Sequence, residues 1–260
     1  MSHSELKVQV PAGAVSVVRG GDGPPLVYMH SAVGDTWWSP WCDALDRTVV
    51  IPAHPGFAGS EGYASIDDMD DLVFHYDEVF DALGLERFAL MGQSLGGWIA
   101  AEYAVRWPRR LEALILVDAA GLRVKDAPVP DMWRMRPPEL ADVLFADPDQ
   151  PIAMMLRSFD RSNPPGEDVL LPFIQAQQTT ARLAWNPYLH HPKLRGRLRR
   201  VSCPTLVVWG AEDRFIPLEH GRAYQELIDG AELTTIEGAG HLPLIERPEA
   251  TAEAIRRFLG

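Results

Sequence analysis

A chain of 260 residues with 24 Lys and Arg against 36 Asp and Glu carries a net charge of -12, which disfavours a nonspecific nucleic-acid binder, because such proteins neutralise phosphates with clustered cations. Its 47% hydrophobic and 23% charged residues are ordinary globular values that exclude wholesale disorder, and the length suits one large domain, or a core with an insertion, that needs no metal or disulfide staple. No apolar run approaches the roughly 18 residues of a membrane span, the opening MSHSELKVQV lacks the features of a secretion signal, and the only cysteines, Cys42 and Cys203, exclude a disulfide framework, so the expectation is a cytoplasmic protein with no membrane or nucleic-acid partner.

In chain order, Lys7–Val10 and Val15–Arg19 read as a pair of opening strands, and Pro25–His30 and Thr48–Ile51 as compact buried strands. Ile66 to Leu85 places Met69, Leu72, Val73, Tyr76, Val79, Phe80 and Leu83 at helical spacing with acids between them. Its acidic outer face suits solvent as well as a partner, leaving a monomer or a homodimer open. Strand Phe88–Met91, helix Leu95–Trp107 and strand Ala113–Val117 follow. Strands Thr205–Trp209 and Glu232–Ile236 and helices His220–Ile228 and Pro248–Phe258 close the chain. Apolar strands alternating with helices predict an α/β fold with a parallel sheet covered on both faces.

The stretch from Arg123 to Arg200 breaks this rhythm. It is rich in Pro, Met and Trp and carries helical patterns at Pro138–Phe145, Ile152–Phe159 and Leu170–Leu183. Two core segments, 1–122 and 201–260, would therefore flank a helical cap, 123–200, over the carboxyl edge of the sheet, where open α/β sheets hold ligands. The basic run Lys193 to Arg200 inside it reads as a solvated connector.

Gly92-Gln93-Ser94-Leu95-Gly96 lies between a strand and a helix, the context a G-x-S-x-G nucleophile turn requires. Composition alone would produce about 0.07 such matches by chance. The glycines remove side chains that would clash at a strained turn, so the Ser94 hydroxyl projects above the sheet. The amide of Leu95, at a helix N-terminus, is placed to stabilise an oxyanion. A serine needs a base, and the base needs an orienting acid. His241, in Gly-Ala-Gly-His-Leu-Pro before the last helix, is the base. Asp213, just beyond strand Thr205–Trp209, is the favoured acid, with Asp118 and Glu212 as rivals at or beside strand ends. The second oxyanion donor falls in His30-Ser31-Ala32-Val33-Gly34, with the amide of Ala32 preferred over Ser31.

These motifs, HSAVG, His54-Pro55-Gly56-Phe57-Ala58-Gly59-Ser60, GQSLGG, GAED and GAGH, occur in an order and spacing that resemble the α/β-hydrolase superfamily over essentially the full chain. The resemblance implies an α/β-hydrolase fold with a mostly parallel eight-stranded sheet, an inserted helical cap, and a Ser94–His241–Asp213 triad needing no cofactor or metal. GQSLGGWIAAEYA and the single cap are similar to the group containing carboxylesterases and meta-cleavage-product C–C hydrolases. Two departures stand out. Ser31 replaces the glycine usual at the oxyanion loop, so its hydroxyl either contacts substrate or only tolerates the turn. Gln93 replaces the asparagine that C–C hydrolases place before the nucleophile, although Arg182 and Trp185 in the cap would offer a seat for a substrate carboxylate.

Trp37, Trp38 and Trp41 follow the oxyanion loop, Trp98 lies one turn into the nucleophile helix, and the cap adds Met132, Trp133, Met135, Met154, Met155, Phe159, Phe173 and Trp185. As a set they suggest an apolar site, with Ser31, Trp37, Trp38, Gln93, Trp133, Arg182 and Trp185 as candidate substrate contacts. The expectation is a serine hydrolase of medium-sized apolar or aromatic carboxylic esters acting through an acyl-enzyme. A C–C bond hydrolase, a perhydrolase and a noncatalytic small-ligand receptor are the alternatives.

Overall fold

The computed structural model describes residues 2–159 and 166–260. The apolar runs become eight strands: β1 (His3–Val10), β2 (Gly13–Gly20), β3 (Pro25–Met29), β4 (Thr48–Pro52), β5 (Phe88–Gln93), β6 (Leu111–Val117), β7 (Thr205–Gly210) and β8 (Glu232–Ile236). They form one sheet in the order β1-β2-β4-β3-β5-β6-β7-β8. The β1–β2 hairpin is antiparallel, β2 meets β4 antiparallel, and every other pairing is parallel. The opening strands run longer than the sequence suggests, because an edge hairpin tolerates exposed polar residues such as Ser4 and Glu5 that mask its apolar pattern.

The helices are α1 (Pro40–Asp43), α2 (Met69–Ala82), α3 (Leu95–Arg106), α4 (Pro137–Leu144), α5 (Pro151–Ser158), α6 (Glu167–Ala184), α7 (Leu194–Arg197), α8 (Leu218–Leu227), α9 (Pro243–Glu246) and α10 (Pro248–Leu259). Helix α2 begins three residues later than the apolar spacing predicts. Asp68 takes the N-cap position in an extended conformation and its carboxylate accepts the amide of Asp71, satisfying one of the orphan donors at the helix start. No helix among the described residues is long and apolar enough to cross a membrane.

Strand alternation splits the core in two. On β5, Phe88 and Leu90 face a cluster containing residues of α2 and α3, while Ala89 and Met91 face a second cluster with Trp41 of α1 and Ala252 and Ile255 of α10. Each wholly buried large side chain in these layers contributes roughly 1.5–3 kcal/mol. Both cysteines are buried and free.

The segment between β6 and β7 contributes α4 to α7. Residues 160–165 of the expected cap range lie outside the described residues. In the basic run Lys193, Arg195, Arg199 and Arg200 are exposed, while Leu194 and Leu198 are buried, Arg200 Nε donates to the Val105 carbonyl at 2.7 Å, and Arg197 lies 3.7 Å from the carboxylate of Glu102. Glu102, wholly buried on α3, also pairs with Arg106 at 2.5 Å and lies 3.4 Å from His191. A buried charge is retained only when paired in this way, and here the pairing joins the inter-strand segment to the helix that starts at Ser94.

Candidate active site

Strand β5 ends at Gln93 and α3 starts at Leu95, so Ser94 must reverse the chain in one residue. It does so at φ 55 and ψ -114, a strained conformation for a residue with a Cβ. The flanking glycines make the turn possible. A Cβ on Gly92 would collide with the Gly96 carbonyl, and one on Gly96 would collide with the Met29 carbonyl and lie 2.6 Å from that of His30.

The turn brings together three residues that the sequence separates widely. The Ser94 hydroxyl donates to His241 Nε2 at 2.7 Å, and His241 Nδ1 donates to Asp213 Oδ2 at 2.8 Å. Asp213 Oδ1 accepts the amides of Phe215 (2.8 Å) and Ile216 (2.9 Å), which fixes the carboxylate. The His241 and Asp213 side chains are buried, 2% and 0% exposed, and the Phe215 ring stands edge-on to the imidazole. This chain of bonds can move a proton from the serine oxygen while keeping the imidazole in one tautomer. Of the two rival acids, Glu212 is exposed on the surface, whereas Asp118 is wholly buried close by.

Ala32 and Leu95 both line the cavity above Ser94. As the first residue of α3, Leu95 has an amide with no intrahelical acceptor. The loop carrying Ala32 is held by Asp35, which no sequence motif marks. Asp35 Oδ1 accepts the Ser31 amide (2.9 Å) and hydroxyl (2.5 Å), and its other oxygen accepts the Tyr28 hydroxyl. Ser31 therefore lines the cavity with a hydroxyl already committed to Asp35 and to the Val33 amide. Its hydrogen bonds serve the turn.

A second missed feature lies beneath this loop. His30 and His54 stack with ring centroids 3.5 Å apart. His30 Nδ1 donates to the Ser31 carbonyl while its Nε2 accepts the His54 amide; His54 Nε2 donates to the His30 carbonyl while its Nδ1 accepts the Tyr76 hydroxyl. Each ring uses one nitrogen as donor and one as acceptor, so both are neutral. Burial lowers His30 to about 4, against a raising influence from Asp35, and lowers His54 well below its ordinary value. Burial likewise lowers His75 to about 4; neither ring nitrogen of His75 meets a hydrogen-bond partner. The unfolded chain binds more protons than the folded one throughout this range, so stability is full above about pH 6.5 and is lost as pH falls toward about 4. Between about pH 7 and about pH 5 each of His30 and His75 should cost about 2 kcal/mol. Urea denaturation at the two pH values checks this: the midpoint should drop at the lower pH, and His75→Phe should reduce the drop.

The cavity has a volume of about 380 Å³. Ser94 and His241 form part of its floor, and Trp37, Phe57, Met132, Met155, Phe173 and Leu189 give it apolar walls. Among the described residues its lining contains no Lys, Arg, Asp or Glu; Ser31, Gln175, Gln177 and Thr180 are its polar components beside the serine and histidine. Several expected substrate contacts lie elsewhere. Trp38 stacks on His3, and its Nε1 donates to Asp43. Gln93, closing a central strand, is wholly buried between its neighbours, outside the cavity lining. Trp133 packs toward Trp185, which is 60% exposed on the outer surface. Arg182 turns away to donate to the carbonyls of Tyr63 (2.6 Å) and Ile66 (3.1 Å), with its guanidinium 4.3 Å above the Tyr63 ring. Carbonyl acceptors and an aromatic face hold that cation outside the cavity. Trp41 and Trp98 belong to the buried core, and Met135, Met154 and Phe159 also miss the cavity.

Comparisons with known proteins agree with this architecture. A model of the alpha/beta hydrolase family matches residues 14–254. The chain is 30% identical over 250 residues to a 2-hydroxy-6-oxo-6-phenylhexa-2,4-dienoate hydrolase of Comamonas testosteroni, an alignment covering 86% of this chain and 83% of that protein. It is similar to the crystal structure of a membrane phospholipase A described as a bacterial virulence factor, with a TM-score of 0.82, 26% identity, and coverage of 99% of this chain and 86% of the other. The naproxen esterase (carboxylesterase NP) of Bacillus subtilis shares the fold at a TM-score of 0.75 and 20% identity, covering 100% of this chain and 92% of the esterase. With its mostly parallel sheet, the strained serine turn and these likenesses, the chain belongs to the alpha/beta hydrolase family.

Proposed function

We propose that the protein is a serine hydrolase cleaving uncharged, medium-sized apolar or aromatic carboxylic esters, with α4 to α6 acting as a cap over the site. The observation that carries this reading is the Ser94–His241–Asp213 hydrogen-bond chain opening into an apolar cavity whose described lining offers no cation. His241 removes the Ser94 proton as the oxygen attacks the ester carbonyl. The amides of Leu95 and Ala32 take the oxyanion, and His241 protonates the departing alcohol. Water then repeats the sequence on the acyl-enzyme and releases the acid. Asp213 keeps the imidazole in the reactive tautomer and stabilises its cation. No cofactor enters these steps.

Hydrolysis of a C–C bond in a dienoate-type diketo acid is the second reading, favoured by the 30% identity to the Comamonas protein. Such a substrate brings a carboxylate, and an unpaired carboxylate in an apolar site costs several kcal/mol. Arg182, the cation expected to meet it, is engaged elsewhere. A panel of p-nitrophenyl esters of rising acyl length beside a ring-fission dienoate separates the two. Ester turnover should exceed dienoate turnover at least about tenfold in kcat/KM, since losing one charge partner is worth more than about 1.4 kcal/mol. Preference for the dienoate would overturn the ester reading in favour of the second.

A further inference from the structure

Strand β6 runs out at Val117, and Asp118 follows with φ 43. Its amide donates to the Val208 carbonyl at 3.0 Å, and its Oδ1 accepts the amide of Gly210 at 2.9 Å. The residue is wholly buried, and Oδ2 has no hydrogen-bond partner. Ligating atoms of Asp118, Asp213 and His241 all lie within 4.8 Å of one another. Two carboxyl groups this close in a buried site do not both ionise. The donors around them decide which one holds the proton. Asp213 receives three N–H groups, from Phe215, Ile216 and His241, whereas Asp118 receives one.

A carboxylate has about four lone-pair sites, so three donors leave one on Asp213 unfilled. Resting on the serine-hydrolase reading above, we propose that Asp118 is a positioning residue, a neutral carboxylic acid whose Oδ2–H is donated to the Asp213 carboxylate. Burial, and then the charge of Asp213, raise the Asp118 carboxyl well above the ordinary range. The other titratable groups facing the pair supply no competing cation. His220 on α8 rests its Nε2 on the Ala127 carbonyl, and burial lowers its affinity for a second proton. Glu246 on α9 spends its carboxylate on the amides of Gly240, Ala146 and Asp147. A donor on Asp213 draws charge away from the carboxylate that the imidazole faces and holds that carboxylate in one orientation.

The test compares Asp118→Ala and Asp118→Asn with the parent protein, reading the His241 imidazole titration by NMR and the acidic limb of kcat/KM for a p-nitrophenyl ester. Removing the donor in Asp118→Ala should raise the imidazole pKa and shift the limb upward by about one unit, with kcat down about tenfold and KM nearly constant. Asn keeps an N–H toward Asp213 and an acceptor toward Gly210, so it should restore the parental titration. An Ala variant with the parental titration, or an Asn variant shifted as far as Ala, overturns the proposal. If Ala does not fold, carboxyl 13C NMR of the parent decides: Asp118 should stay protonated above the ordinary carboxyl range, and an Asp118 that ionises within that range overturns it. Absence of ester turnover by the parent would count against the ester reading alone, because both NMR titrations need no substrate.

Discussion

Ser94→Ala is expected to lower p-nitrophenyl ester turnover by at least about 10⁴-fold while leaving the fold in place. The two halves of this expectation have separate causes. The Ser94 oxygen is the atom that His241 Nε2 addresses at 2.7 Å, and an alanine offers nothing to deprotonate. The turn itself depends on backbone geometry and on the Cβ, which both residues share, so the strain at φ 55 is unchanged. Loss of one buried hydrogen bond should move stability by only about 1 kcal/mol. Turnover assays, fluorophosphonate labelling and a urea titration on the same preparation check both halves. Undiminished turnover in the variant would remove the mechanism.

Gly96→Ala should have the largest effect on stability. The added carbon would enter the space of the Met29 and His30 carbonyls, which are backbone atoms at the end of the central strand β3 and cannot step aside like a side chain. The expected cost exceeds about 4 kcal/mol, enough to leave much of the protein unfolded. Gly196→Ala is the matched control. It lies in α7 with nothing within 4 Å of its would-be Cβ, and in a helix that change is neutral or stabilising by up to about 1 kcal/mol. Thermal unfolding of the two variants should therefore diverge by many degrees. Equal midpoints would mean that the β3–α3 contact is looser than the structure describes.

The same contrast explains what the sequence could and could not convey. The serine turn is legible because its requirement is local: two glycines, a strand before and a helix after, all within one short stretch. His241 and Asp213 are legible because each follows a strand at the sheet's carboxyl edge, so topology alone brings them near Ser94. The aromatic contacts are a different matter. Trp37 faces the cavity and its neighbour Trp38 does not, because Trp38 stacks on His3 of the edge strand, a contact set by tertiary packing. Arg182 has the chemistry to hold a carboxylate but meets the carbonyls of Tyr63 and Ile66 first. The His30–His54–Tyr76 network is not legible in the sequence because its members are ordinary core residues until the sheet brings their loops together. Gln93, read as a possible substrate contact by its place beside Ser94, shows that adjacency in the chain does not decide which residues face a cavity.

The carbonyl of Leu144, the last residue of α4, accepts the backbone amide of His241 at 2.8 Å, and the amides of Ala146 and Asp147, two and three residues further on, donate to Glu246. The roof is thus stitched to the floor on the histidine side. Lifting α4 would strip the histidine loop of its acceptor and Glu246 of two donors at once, so any displacement of that helix is felt at His241. The opposite flank is tied by different means: α6 rests on the Pro55–Phe57 turn through Thr179 and Ala176, and Arg182 bonds it to the carbonyls of Tyr63 and Ile66, so only the α4 side shares its hydrogen bonds with the histidine loop.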